Sequence, residues 1–449
     1  MSDNLGQTGT GRSSRREFIK RSTAAAVGVG LAGGLAVQRA AHAAGSDQIK
    51  IALIGCGGRG TGAAIQALSN TANPNVKLVA MADAFQDRMD HCLKAIKSRI
   101  KDKNKIDVPP ERMFADLLGF QKAIDSGVDM VLICTPPGFR PMQFEAAVKA
   151  GKQIFMEKPL AVDAPGVRRV QAANEEAKKK GLAVAVGHHL RHEDKHREVV
   201  KRLQDGLIGE IEYMRAYFNS AGVRVRLRKP EQTEMQYQVR NWYYFNWVCG
   251  DHIVEQHVHD LDVMNWIKGD SHPVEANGMG GRQVRISKDH GEIFDHHAVE
   301  FTYADGTKMF SFCRHIPGCW NSFSEHAHGT KGSASIQGHG RSEIVVDGQA
   351  EPLRWKRGAD GHQVEHDDLF AAMLAGKAYN EVDYSVNATM TAILGRMATY
   401  SGKVVPWDEA IKSTLDLSPK SYAWNAEAPV KPGPDGIYPC AMPGITKAW

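Results

Sequence analysis

Residues 48–68 read QIKIALIGCGGRGTGAAIQAL, and this stretch decides the fold. An apolar run from Ile49 to Ile54 has the composition of a buried strand. It breaks into glycine and then takes up the small-residue pattern of a helix. Gly55, Gly57 and Gly60 stand in G-x-G-x-x-G spacing with a strand before them and a helix after. Glycines at these points permit a tight turn and let the backbone approach a pyrophosphate. The helix start then offers that anion free N–H groups and the positive end of its dipole.

The pattern continues downstream. A second apolar strand in VKLVAMADAFQDR ends at Asp83, 23 residues after Gly60. A carboxylate there can accept hydrogen bonds from both ribose hydroxyls and repels a 2′-phosphate, which favours NAD; the nearby Arg88 leaves NADP open. A third strand, DMVLICTPPGF, stops at Thr135-Pro136-Pro137, and the helix RPMQFEAAVKAGK follows. The next strand, QIFMEKP, ends in Glu157-Lys158-Pro159. Open parallel sheets place ligands beyond the carboxyl ends of their strands, so Lys158 is expected to face the crevice, with Pro159 fixing the turn that holds it. Residues 45–165 are thus read as a doubly wound, Rossmann-type dinucleotide domain.

Gly-rich turn, acidic strand end, T-P-P loop and E-K-P, in this order, resemble the Gfo/Idh/MocA superfamily of oxidoreductases. The resemblance implies an NAD-dependent enzyme acting on a sugar, glycoside or cyclitol hydroxyl. It implies nucleotide contacts from Gly55, Gly57, Gly58, Arg59, Gly60, Asp83, Arg88, Thr135, Pro136, Glu157 and Lys158. In that family the lysine bonds both the reacting hydroxyl and the nicotinamide ribose, a role that falls here to Lys158.

The second half is expected to form an α+β domain, residues 166–425, with a large, mostly antiparallel sheet. Segments such as HHAVEFTYADGTKMFSFCRHI alternate apolar and polar residues around turn signals. Its chemical segment is NWYYFNWVCGDHIVEQHVHDLDVMNWIKG, Asn241–Gly269. Here Gly250, Glu255, His257, His259 and Asp262 occupy the slots of a family run that points an acid and a histidine at the substrate. Glutamate replaces the usual aspartate and His257 replaces a glycine. Glu255 and His259, at i and i+4, would share one helix face.

Hydride leaves a carbinol carbon only as the hydroxyl proton is removed. His259 could take that proton near neutral pH. Lys158 would stabilise developing alkoxide charge. Glu255 would orient the imidazole or bind a neighbouring hydroxyl. Trp242, Tyr243, Tyr244 and Trp247 could stack on sugar rings, the resemblance adds Arg191 to the substrate contacts, and His257, where the family has a glycine, is a further candidate contact.

The 19 histidines raise a rival reading. Glu255, His257 and His259 could hold a divalent metal through imidazole and carboxylate, though no fixed-spacing signature marks such a site. Two rival functions also stand. One is an NAD-dependent glycosidase that works by transient C3 oxidation, elimination and hydration. The other is a sugar-sensing protein without catalysis.

Arg15-Arg16 with Phe18 and Lys20, a short weakly apolar run, and an A-x-A exit at Ala41 and Ala43 resemble a twin-arginine export signal, residues 1–43. Export to the periplasm would call for a tightly held cofactor that is recycled in place. Composition is that of a globular protein, 42% hydrophobic and 24% charged, with no later run long enough for a membrane span. A formal net charge of +5 gives no reason to expect a nucleic-acid partner. The seven cysteines show no zinc-ribbon spacing. Residues 426–449, rich in Pro and Gly, read as an arm wrapping its own or a neighbouring subunit, and the second-domain sheet as the contact of a homo-oligomer.

Overall fold

A computed structural model describes residues 48–338 and 340–449. The export signal expected at 1–43 lies outside the described residues. Among the described residues no helix is long and apolar enough to cross a membrane.

The first sheet is parallel. Its strands are β1 (Ile49–Ile54), β2 (Val76–Asp83), β3 (Met113–Ala115), β4 (Met130–Ile133), β5 (Gln153–Met156) and β6 (Val184–Val186), ordered β3-β2-β1-β4-β5-β6. The central strands β1 and β4 are buried on both faces and so read as continuous apolar runs, whereas β3 at the edge is partly exposed. The sheet runs past residue 165, because β6 completes its far edge.

Local chemistry sets the connections. The Ala164–Lys180 helix starts where the Asp163 carboxylate accepts from the Gly166 N–H at 2.8 Å. It stops at Gly181, whose left-handed φ of 63° suits glycine, after three lysines that favour the negative end of the helix.

The second sheet has nine strands. They are β7 (Ile211–Ser220), β8 (Glu275–Gly281), β9 (His296–Thr302), β10 (Lys308–His315), β11 (Ser322–Gly329), β12 (Gly332–Gln337), β13 (Ser342–Val346), β14 (Leu353–Trp355) and β15 (Val405–Pro406). Their order is β14-β13-β12-β11-β7-β10-β9-β8-β15. All pairings are antiparallel except β7 with β10. Burial alternates residue by residue along β9 and β10, so one face is packed and the other is open.

The packed face lies against two helices, Val258–Ile267 and Val382–Ser401. The second of these has 17 of its 20 residues buried and also packs on the Ala164–Lys180 helix of the first lobe. Thr389 Oγ1 on it accepts from the Leu160 N–H at 3.1 Å, close to the Glu157-Lys158-Pro159 turn. One apolar core therefore runs from the parallel sheet into the second sheet. The C-terminal arm packs on its own chain: Tyr438 is buried, and the Val430 carbonyl accepts from Gln238 Nε2 at 2.7 Å.

Candidate active site

A cavity of ≈ 620 Å³ opens at the carboxyl ends of the parallel strands and is walled by both lobes. The glycine turn forms its first wall. Gly55 has φ +95°, and a Cβ on Gly60 would sit 1.9 Å from the Gly55 carbonyl oxygen, so both positions require glycine. A Cβ at Gly57 or Gly58 would meet nothing within 4 Å. That side of the turn is open to a diphosphate at the start of the Gly58–Leu68 helix, and the cradle fits a dinucleotide.

Asp83 stands at the end of β2. Its Oδ2 accepts from the Cys56 N–H at 2.7 Å and its Oδ1 from the Phe85 N–H at 3.0 Å. Burial pushes its pKa up, while those bonds and the Arg88 charge oppose the shift. Arg88, Thr135 and Pro136 line the same wall. Arg59 reaches across it, with Nε 3.0 Å from Glu157 Oε1. Glu157 is thus paired with the glycine turn rather than with its neighbour Lys158. A Cβ on Gly187 would lie 2.6 Å from Glu157 Oε2, so the residue that follows β6 is one that leaves the carboxylate room.

Lys158 points into the cavity. Its Nζ donates to the Glu255 carbonyl at 2.7 Å and lies 3.4 Å from Glu255 Oε1. Pro159 follows through a cis peptide bond, and the buried Arg140 guanidinium donates to the Pro159 carbonyl beneath the turn.

From the second lobe come Glu255 and His259. The chain forms two short helices here, His252–Glu255 and Val258–Ile267, so these residues sit on either side of a break and both face the cavity. Glu255 turns to Lys158 and makes no hydrogen bond to His259. The orienting role expected of it is therefore not taken up. His259 is buried, and its Nδ1 has no hydrogen-bond partner. Burial first, then the Lys158 charge and the neighbouring histidines, hold its pKa well below the ordinary imidazole value. Trp242 and Tyr243 also line the cavity.

Other expectations fail as well. Arg191 lies outside the cavity. Its Nε and Nη2 donate to Asp262 at 2.7 and 2.8 Å, Nη2 reaches Asp270 at 2.7 Å, and its Cζ lies 3.7 Å from the Tyr384 ring centre. Two carboxylates take the donors that would have met a substrate. His257 is fully buried and faces the sheet, with Nδ1 3.1 Å from Asp260 and Nε2 2.8 Å from Ser311 Oγ. Burial lowers its pKa to about 3. Glu255, His257 and His259 consequently do not converge on a metal.

Among the described residues, the histidine–carboxylate donors that lie within 4.8 Å of one another belong to Asp251, His252 and His297. The Asp251 oxygens are already bonded to His252, the Phe294 N–H and Tyr400. The stacking proposed for Tyr244 and Trp247 is not available either, because the first bonds the Val223 carbonyl and the second is buried against Gln238.

Two cavity histidines were given no catalytic or substrate role from the sequence. His189 follows β6, its ring 4.9 Å from His259 and 3.9 Å from His362, which begins the Gly361–Leu374 helix. The crowding of histidines near residue 189 was a visible signal. His362 carried none.

Comparison with known proteins agrees with this geometry. Residues 49–188 match the family model described as "Oxidoreductase family, NAD-binding Rossmann fold". Residues 200–385 match "Oxidoreductase family, C-terminal alpha/beta domain". An inositol 2-dehydrogenase of Rhizobium meliloti is 25% identical over 310 residues, covering 68% of this chain and 81% of that protein. A 1,5-anhydro-D-fructose reductase of Ensifer adhaerens is 30% identical over 156 residues, 34% of this chain and 41% of that protein. The solved structure of a levoglucosan dehydrogenase with NADH and levoglucosan superposes with a TM-score of 0.63 at 15% identity, covering 80% of this chain and 99% of that one. The chain belongs to the Gfo/Idh/MocA oxidoreductase family: it is an enzyme built from that family's NAD-binding Rossmann domain and its C-terminal α/β domain.

Proposed function

We propose that the protein transfers hydride between NAD and a hydroxyl-bearing carbon of a sugar, glycoside or cyclitol. The carrying observation is that Lys158 of the first lobe and His259 of the second wall one cavity beside the glycine turn. The names of the similar proteins, inositol dehydrogenase and anhydrofructose reductase among them, support a polyhydroxylated substrate.

NAD supplies the hydride acceptor; the rest falls to the chain. Lys158, with donors to spare beyond the Glu255 carbonyl, bonds the reacting oxygen as it gains alkoxide character. His259, kept neutral by burial and by Lys158, offers an imidazole nitrogen to the departing hydroxyl proton. Glu255 anchors the ammonium. Trp242 and Tyr243 give the sugar ring an aromatic wall. The Asp83 carboxylate disfavours a 2′-phosphate and so favours NAD over NADP.

The test is incubation with NAD and a panel of cyclitols, aldoses and glycosides. Accumulation of NADH with a ketone product supports the reading. Release of an aglycone without net redox change would replace it with the transient-oxidation glycosidase.

Three further statements belong to the same reading. The residue 1–43 segment directs export through Arg15-Arg16; a reporter fusion that is still exported after Arg15→Lys/Arg16→Lys would sink this. The cofactor stays bound through turnover and is recycled in place; a protein that purifies free of nucleotide would contradict it. The open face of the nine-stranded sheet, with Tyr213, Tyr217, Phe312 and the exposed Trp320, is where a homo-oligomer forms. A monomer by light scattering would end that proposal.

A further inference from the structure

Residues 221–229, AGVRVRLRK, join β7 to the helix Glu234–Arg240 without helix or strand pairing of their own. The segment is nonetheless tied down. The Tyr244 hydroxyl donates to the Val223 carbonyl at 2.6 Å, the Arg226 N–H to Asn241 Oδ1 at 2.8 Å, and the Arg228 N–H to Asp289 Oδ1 at 3.2 Å. It is a fixed strap along the mouth of the nucleotide cradle.

Its charges are unevenly matched. Arg228 pairs with Glu234 at 2.6 Å, and Arg240, just beyond the strap, pairs with Asp87 at 2.9 Å. Arg224 and Arg226 have no ion pair and no side-chain hydrogen-bond partner among the described residues, whereas the first-lobe Arg88 lies near Asp83 and Asp87. Arg226 nevertheless lies close enough to Arg88, Arg224 and Arg240 for their charges, after burial, to lower its pKa. Two like charges held together by an ordered backbone, neither of them paired to a carboxylate of the chain, form a site for an anion.

The position identifies the anion. A second cavity, ≈ 670 Å³, flanks the glycine turn, with Thr61, His91 and Cys92 in its wall. It shares Gly57, Gly58, Arg88, Arg224, Arg226 and Arg240 with the reaction cavity. The two guanidiniums of the strap therefore stand around the same opening as the start of the Gly58–Leu68 helix, where a diphosphate is received.

We infer that Arg224 and Arg226 grip the diphosphate of the bound dinucleotide from the second lobe, opposite the glycine turn. This rests on the reading that the cradle holds NAD. The nucleotide is then clamped between lobes, with backbone N–H groups on one side and paired charges on the other.

The test is titration of nucleotide-stripped wild type and Arg224→Gln/Arg226→Gln with NADH, ADP-ribose, adenosine and NADPH. Apo melting temperatures serve as the check on folding. NADH and ADP-ribose should each bind the variant about tenfold or more weakly, with adenosine unchanged, because charge-assisted contacts to phosphate are lost. The salt dependence of NADH binding should also flatten. Fewer variant chains should retain nucleotide through gel filtration. Unchanged NADH affinity would overturn the inference. So would a loss confined to NADPH, which would assign the arginines to a 2′-phosphate, or an equal loss for adenosine, which would mean distortion of the site. A wild type that binds none of the four would overturn the cofactor reading itself.

Discussion

Two groups of histidines in this protein do opposite things. His189, His259 and His362 touch ring to ring on the wall of the reaction cavity. His252, His297 and His315 touch ring to ring as well, 4.8 and 4.4 Å between centres, but around the sealed carboxylate of Asp251. In the sealed group most polar atoms are spoken for. Asp251 Oδ1 accepts from His252, Oδ2 accepts from the Phe294 N–H and the Tyr400 hydroxyl, and His297 Nδ1 meets Thr399 at 2.9 Å. In the cavity group Nδ1 of His189 and His362 stands 3.8 and 3.5 Å from Glu193 and Glu365, beyond a close hydrogen bond, and Nδ1 of His259 has no hydrogen-bond partner. Residue type and ring packing are alike; what differs is that one group surrounds a carboxylate of the chain, whereas the other lines the cavity and includes His259, whose Nδ1 no chain group has taken.

Substitutions on each side can break or sharpen that contrast. Lys158→Met should have the largest effect, a loss of about a thousandfold in kcat with NADH affinity retained, since it removes the charge placed for the alkoxide. Near-normal turnover would remove Lys158 from the chemistry. Asp251→Asn should act on stability instead, by about 3 kcal/mol, because it removes a charged hydrogen-bond acceptor from a buried network. Chemical denaturation reads that loss, and the folded fraction should turn over normally. His259→Asn should lower kcat about a hundredfold and leave the melting temperature in place. A fall in melting temperature without loss of rate would move His259 into the sealed class. Asp83→Ala should weaken NADH about tenfold and spare the KM of the sugar.

The smallest effect concerns pH. His257 stays neutral in the folded protein down to about pH 3, whereas the unfolded chain protonates it near the ordinary value. Its burial therefore costs stability progressively as pH falls below that value. His257→Gln removes this cost along with the bonds to Asp260 and Ser311. The gap in melting temperature to wild type should be widest at neutral pH and narrow toward pH 5. A gap that widens on acidification would refute the sign.

The first lobe was legible because its functional atoms are local. Gly55, Asp83 and Lys158 each lie at the end of an apolar run, and strand ends in a parallel sheet converge. The second lobe was legible only in part. Glu255 and His259 could be placed by spacing, but His257, two residues from each, turns to the sheet because the helix breaks there. The partners of Arg191 lie more than seventy residues away, and no short pattern shows that Asp262 and Asp270 will take its donors. The same holds for His362, which reaches His189 across more than a hundred residues. What escapes a linear reading is the pairing of distant polar groups, where either of two partners would satisfy the same side chain.

The Val382–Ser401 helix has a consequence for how ligands come and go. Sunk in the core and fastened to both halves, it leaves little room for them to part like a bivalve shell. Reactants must then enter and leave past the rim of a body that keeps its shape. Turnover in such a body should be governed by side chains and short segments at the threshold rather than by a hinge.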